Sequence, residues 1–114
     1  MQDRLGDKLR LQHIIDAINE IELYTKDATA ESFAANSMMF NATLRQLEII
    51  GEASNKLSEK LIMENEDIAW ARIVGLRNLV IHEYFGIDDL AIWNIIKINI
   101  PSFKDKIIEI ANNK

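Results

Sequence analysis

Residues Ser37–Lys60 read SMMFNATLRQLEIIGEASNKLSEK; there and just beyond, Phe40, Leu44, Leu47, Gly51, Ser54, Leu57 and Leu61 recur at spacings of three and four. At 3.6 residues per turn these positions share one stripe, widened by Ile50, which predicts a long amphipathic helix from about Ser37 to Lys60. Gly51 stands on its apolar face, where glycine costs about 1 kcal/mol of helix propensity relative to alanine. A glycine so placed usually lets another helix approach closely, and Gly51 is read as a packing point.

Upstream, Leu11, Ile14, Ile15, Ile18 and Ile21 form a second apolar stripe within Asp3–Lys26, with Asp16, Glu20 and Glu22 off it. Lys26-Asp27-Ala28-Thr29 breaks that pattern, and Thr29 or Ser32 is placed to cap a short helical turn over Glu31–Ala35, tucked under the core by Phe33. Downstream, Met63–Asp67 is an acidic connection, and Asp67 is a candidate N-cap for a helix beginning near Ile68 or Trp70. That helix carries Ile73, Leu76 and Val80 inward, and Gly86 is placed to end it as a left-handed C-cap. Asp88 or Asp89 caps a further helix, Leu90 to Asn99. Pro101 suits the first turn of a last one, whose stripe is Phe103, Ile107 and Ile110. No strand alternation, repeat or low-complexity tract is present. The architecture expected is all-α: an antiparallel bundle of four to five helices forming a single domain over residues 1–114.

Composition narrows the chemistry. Hydrophobic residues make up 48% and charged residues 27% of 114, a globular profile. With no cysteine, disulfides, thiol catalysis and zinc–thiolate sites are excluded. Two histidines on separate helices give no metal-ligand spacing, so neither metal nor cofactor is expected. No apolar run reaches membrane-spanning length and the N-terminus has no signal-peptide core, so a cytoplasmic protein with no membrane partner is expected. The net charge of −5 argues against a general nucleic-acid coat. A small local patch remains available to hold RNA, drawn from Arg72, Arg77, Lys97, Lys104 and Lys106.

The stretch with the most chemistry is Arg77-Asn78-Leu79-Val80-Ile81-His82-Glu83-Tyr84-Phe85-Gly86. On a regular helix Asn78 and His82, four apart, share a stripe, as do Arg77 and Tyr84, two turns apart. The step from Arg77 to His82 turns about 140°, so these two side chains diverge. They converge if the helix unwinds near Gly86, if the arginine curls round, or if a second subunit completes the site. A permanent cation beside a proton-transferring imidazole suits phosphate esters: arginine grips non-bridging oxygens, and histidine moves a proton. Asn78 is within reach to fix the ring tautomer. RNA carries its own nucleophile, the ribose 2′-hydroxyl, so such a site needs no metal. The same residues also fit a purely structural role on an interfacial helix, with the Tyr84 ring buried as an amphipathic anchor. His13 reads as a surface or boundary residue of the first helix without a partner.

Arg77, four residues, His82, one residue, Tyr84 resembles the signature of HEPN domains of the HepT-like type, the toxins of type VII toxin–antitoxin pairs. The resemblance extends to Ile49–Ala53 with Lys56–Ser58, to Trp70 with Ile73–Asn78, to Tyr84–Asp88, to Trp93–Pro101 and to Ile14–Tyr24. It departs mildly at Asn65–Ala69, which lacks a proline often found there. The resemblance implies a homodimer whose two motifs face each other across a cleft, and a metal-independent endoribonuclease with Arg77 and His82 catalytic and Asn78 supporting. It further implies a minimal nucleotidyltransferase antitoxin of the MntA type that uses ATP to AMPylate Tyr84 and silence the toxin. Another class fits the same bundle: a non-catalytic helical module that docks a nucleotidyltransferase and helps bind its substrate or nucleotide.

Overall fold

A computed structural model of the chain describes residues 2–79 and 88–113. Helix α1 (Gln2–Tyr24) lies along α3 (Ser37–Asn55) in the most extensive helix–helix contact of the bundle, and α7 (Ile100–Asn112) packs against α1. Their apolar stripes meet in one cluster, with Ile14, Ile18, Leu47, Ile50 and Ile107 entirely buried. The stripes read from the sequence are therefore the faces that are buried, and the fold is an all-α bundle. Among the described residues no helix is long and apolar enough to cross a membrane.

Short helices close the ends. Thr29 caps α2 (Ala30–Ala35): its hydroxyl accepts from the Ser32 N–H at 3.1 Å, and the Ser32 hydroxyl accepts from the Thr29 N–H at 2.9 Å. Both residues named as candidate caps thus take part in one reciprocal capping box. Phe33 is fully buried, edge-on to Phe40 at 5.5 Å and beside Trp93 at 5.3 Å.

Three expectations need correction. The helix predicted to run to Lys60 stops at Asn55, and a separate α4 (Glu59–Glu64) starts after Ser58. Periodicity alone misses this break, because Leu57 within it and Leu61 beyond it both stay buried. Its cause is Asp7 of α1, a buried carboxylate that accepts from the Ser58 backbone N–H at 2.8 Å and from its hydroxyl at 2.6 Å. Ser58 in turn caps α4 by accepting from the Leu61 N–H. Second, Asp67 does not cap a helix. It pairs with Lys106 at 3.3 Å, while α5 (Trp70–Gly75) begins after Ala69 with no side-chain cap. The Trp70 indole N–H instead donates to the Asn65 carbonyl at 3.0 Å.

Third, the last two helices are continuous. Asp88 caps α6 (Asp89–Asn94) by accepting from the Leu90 and Ala91 N–H groups, as expected of one of the two candidates. The chain then passes through a π-helical turn, Ile95–Asn99, directly into α7. Pro101 lacks an N–H and its ring crowds the carbonyl four residues back, which in a regular helix is that of Lys97. The wider turn just ahead of it accommodates the proline without ending the rod. Val80 and Gly86, expected as an inward residue and a C-cap, lie outside the described residues.

Asp7→Ala is expected to lower unfolding free energy by about 1.5–3 kcal/mol, because it strands a backbone donor that bonds a charged group. Asp7→Asn, which keeps one carbonyl acceptor, loses less. Urea denaturation of both variants checks the order.

Candidate active site around Arg77

Helix α5 tightens at its end into a 3-10 turn, Leu76–Asn78, which holds Arg77 and Asn78. Leu76 is buried and anchors the turn, Arg77 is half-buried, and Asn78 is exposed. At three residues per turn adjacent side chains stand about 120° apart, so Arg77 and Asn78 project in different directions. The step of about 140° from Arg77 to His82 assumed a regular helix; at the arginine end that geometry does not hold.

The turn is seated on α3. A methyl group added at Gly51 would stand 2.6 Å from the backbone nitrogen of Arg77, 2.9 Å from the Val74 carbonyl oxygen and 3.1 Å from the Arg77 Cβ. Two backbones therefore meet there with room for hydrogen only, which bears out Gly51 as a packing point. The next residue, Glu52, accepts a hydrogen bond from Arg77 Nη1 at 3.1 Å. Both side chains are substantially exposed, at 37% for Arg77 and 54% for Glu52. A pair this wet contributes about 0.2–1 kcal/mol to stability, so its main effect is to aim the guanidinium. Sequence reasoning did not single out Glu52 as a partner for Arg77, because the two are 25 positions apart and belong to different helices.

Glu52 also lines a polar cleft of about 270 Å³ between α1 and α3, together with Arg10, His13, Arg45, Glu48 and Lys56. His13 is exposed, as expected, but it is not isolated. Of the basic residues named from the sequence, Arg72 and Lys106 line one groove, and the five do not assemble into a single patch. Lys104 binds Glu22 at 2.9 and 3.1 Å, Lys106 pairs with Asp67, and Lys97 sits 4.7 Å over the Trp93 ring. The groove that Arg72 and Lys106 line is separate from the polar cleft, largely apolar and about 460 Å³, between α5 and α7. His82 and Tyr84 lie outside the described residues, so of the four sequence-named site residues the structure places Arg77 and Asn78.

An all-α bundle that presents an arginine on a tight turn, pinned backbone to backbone against a glycine, is the class of protein defined by these features. The family model described as Ribonuclease HepT-like matches residues 14–110, and the chain belongs to that family. "Putative RNase MJ1380" of Methanocaldococcus jannaschii is 38% identical over 100 residues, covering 88% of this chain and 92% of that protein. "Probable ribonuclease HepT" of Thermococcus cleftensis is 36% identical over 96 residues, covering 84% and 87%. "Putative RNase TTE0752" of Caldanaerobacter subterraneus is 33% identical over 104 residues, covering 91% and 93%. No solved structure matches the chain.

Alanine at Gly51 gains helix propensity but drives a methyl group into backbone, and the second effect dominates. Gly51→Ala is expected to destabilise by about 1–3 kcal/mol, as overpacking does. Gly6→Ala in α1, where among the described residues an added methyl group meets nothing within 4 Å, is expected to stabilise by about 0.4–1 kcal/mol. Thermal or urea unfolding of the two variants reads the contrast in sign.

Proposed function

We propose that this chain is a metal-independent endoribonuclease, the toxin of a type VII toxin–antitoxin pair. Family membership supports a ribonuclease function, and the observation that carries the assignment to this site is Arg77, held on its turn by Gly51 and aimed by Glu52. The ribose 2′-hydroxyl attacks the adjacent phosphorus while His82 transfers a proton, as base to the nucleophile or as acid to the leaving 5′-oxygen. Arg77 stabilises the charge that develops on the non-bridging oxygens, and Asn78 supports the pair. A second copy of the chain completes the site, as the family resemblance implies, and the active species is a homodimer.

Regulation follows from Tyr84. A minimal nucleotidyltransferase transfers AMP from ATP to its phenol oxygen, releasing pyrophosphate. The new phosphodiester places negative charge and bulk where RNA must bind, close to Arg77 and His82.

Purified, unmodified protein is expected to cleave RNA in EDTA, and Arg77→Ala and His82→Ala to lose at least about 100-fold in rate, the low end for a general acid–base group. Equal cleavage by wild type and variants, or none by any of them, removes the catalytic assignment. Retained partner binding and retained cellular effect in both variants favours the non-catalytic docking module instead. After incubation with the nucleotidyltransferase and ATP, intact mass is expected to rise by whole AMP units in wild type and to stay unchanged in Tyr84→Phe.

A further inference from the structure

We propose that the α1–α3 cleft carries the single-stranded RNA backbone up to Arg77, with Arg10 and Lys56 as its phosphate contacts. The inference deepens the ribonuclease assignment and rests on it. Arg10 and His13 sit three apart on α1, and Arg45, Glu48, Glu52 and Lys56 recur at spacings of three and four on α3 and just past its end, so each helix turns one polar edge toward the cleft. The cleft is lined by three guanidinium or ammonium groups and two carboxylates, and Arg77 adds a fourth cation as the partner of Glu52. Both carboxylates are engaged: Glu48 accepts from Arg45 at 2.6 Å, and Glu52 accepts from Arg77. Among the described residues neither Arg10 nor Lys56 has an ion-pair partner, so their charge is available to a ligand.

The location matters as much as the charge. In a chain of net charge −5, a concave surface with surplus positive charge focuses field and attracts a polyanion. Glu52 is shared between the cleft wall and the Arg77 pair, which places the arginine one hydrogen bond beyond the cleft lining. The alternative lysines of the C-terminal half are occupied elsewhere: Lys104 by Glu22, Lys106 by Asp67, and Lys97 by the Trp93 ring. Phosphates flanking the scissile one would therefore be held by α1 and α3, leaving Arg77 for the scissile phosphate. Such contacts are sequence-independent, because phosphates position a strand without reading its bases.

The test measures the dissociation constant of a 2′-O-methyl RNA oligonucleotide, whose blocked nucleophile prevents cleavage, across a series of NaCl concentrations. Wild type is compared with Arg10→Ala/Lys56→Ala and with Arg72→Ala/Lys97→Ala, which removes the same charge elsewhere. Loss of two phosphate contacts on a single strand lowers the slope of log affinity against log salt by about 1.4. That drop is expected in the cleft variant only, with at least tenfold weaker binding at low salt, and with charge reversal by Lys56→Glu weakening binding in the same direction. An unchanged slope, or an equal drop in the comparison variant, overturns the proposal. If wild type cleaves ordinary RNA while the cleft variant binds normally, the cleft falls and the nuclease stands. If binding depends on the cleft but no RNA is cut, the nuclease falls and the cleft stands. If wild type does not bind the oligonucleotide at all, the cleft falls, and cleavage of ordinary RNA decides the nuclease separately.

Discussion

At Gly51 the backbone of α3 meets that of the Val74–Arg77 segment with no side chain between them. The placement of Arg77 depends on that approach. Were α3 held off by even one methyl group, Arg77 would shift as a unit with its turn, and Glu52 would no longer reach its guanidinium at 3.1 Å. A residue that weakens a helix locally is thus placed where two helical segments must touch, and the sacrifice of propensity sets the geometry of a charged group.

The remainder of the bundle makes that approach rigid. Leu76 is buried beside Arg77, and Trp70 at the start of α5 meets Phe103 of α7 edge-on at 6.0 Å. The segment carrying Arg77 is therefore clamped between α3 on one side and the C-terminal rod on the other. A guanidinium that works by preorganised charge needs this: a flexible arginine loses much of its advantage to reorganisation when the phosphate arrives.

Much of this was legible in the sequence, and the reason differs by feature. The long helices followed from apolar spacing, which is local and repeats many times. Thr29 and Asp88 were legible as caps because a cap bonds within three residues of itself. Gly51 was legible because a glycine on an apolar stripe weakens its own helix and leaves a gap that only a close backbone fills. What was missed is non-local. Asp7 ends α3 through Ser58, 51 positions away, and Glu52 finds Arg77 across 25. Asp67 was diverted from capping by Lys106, a partner on a different helix. His13 looked isolated because its neighbours in the cleft come mostly from α3. The Arg77–His82 relation was drawn on a regular helix, and the 3-10 turn at Leu76–Asn78 alters it at the arginine end.

In the proposed reaction RNA is cut by its own 2′-hydroxyl, with Arg77 bearing the developing charge and no metal-bound water taking part. The chemistry leaves its record on the product ends. Cleavage in EDTA by the purified protein, followed by mass spectrometry of the fragments, should give a 2′,3′-cyclic phosphate on one fragment and a 5′-hydroxyl on the other. Fragments ending in 3′-hydroxyl and 5′-phosphate would contradict the account, because they require an external water as nucleophile.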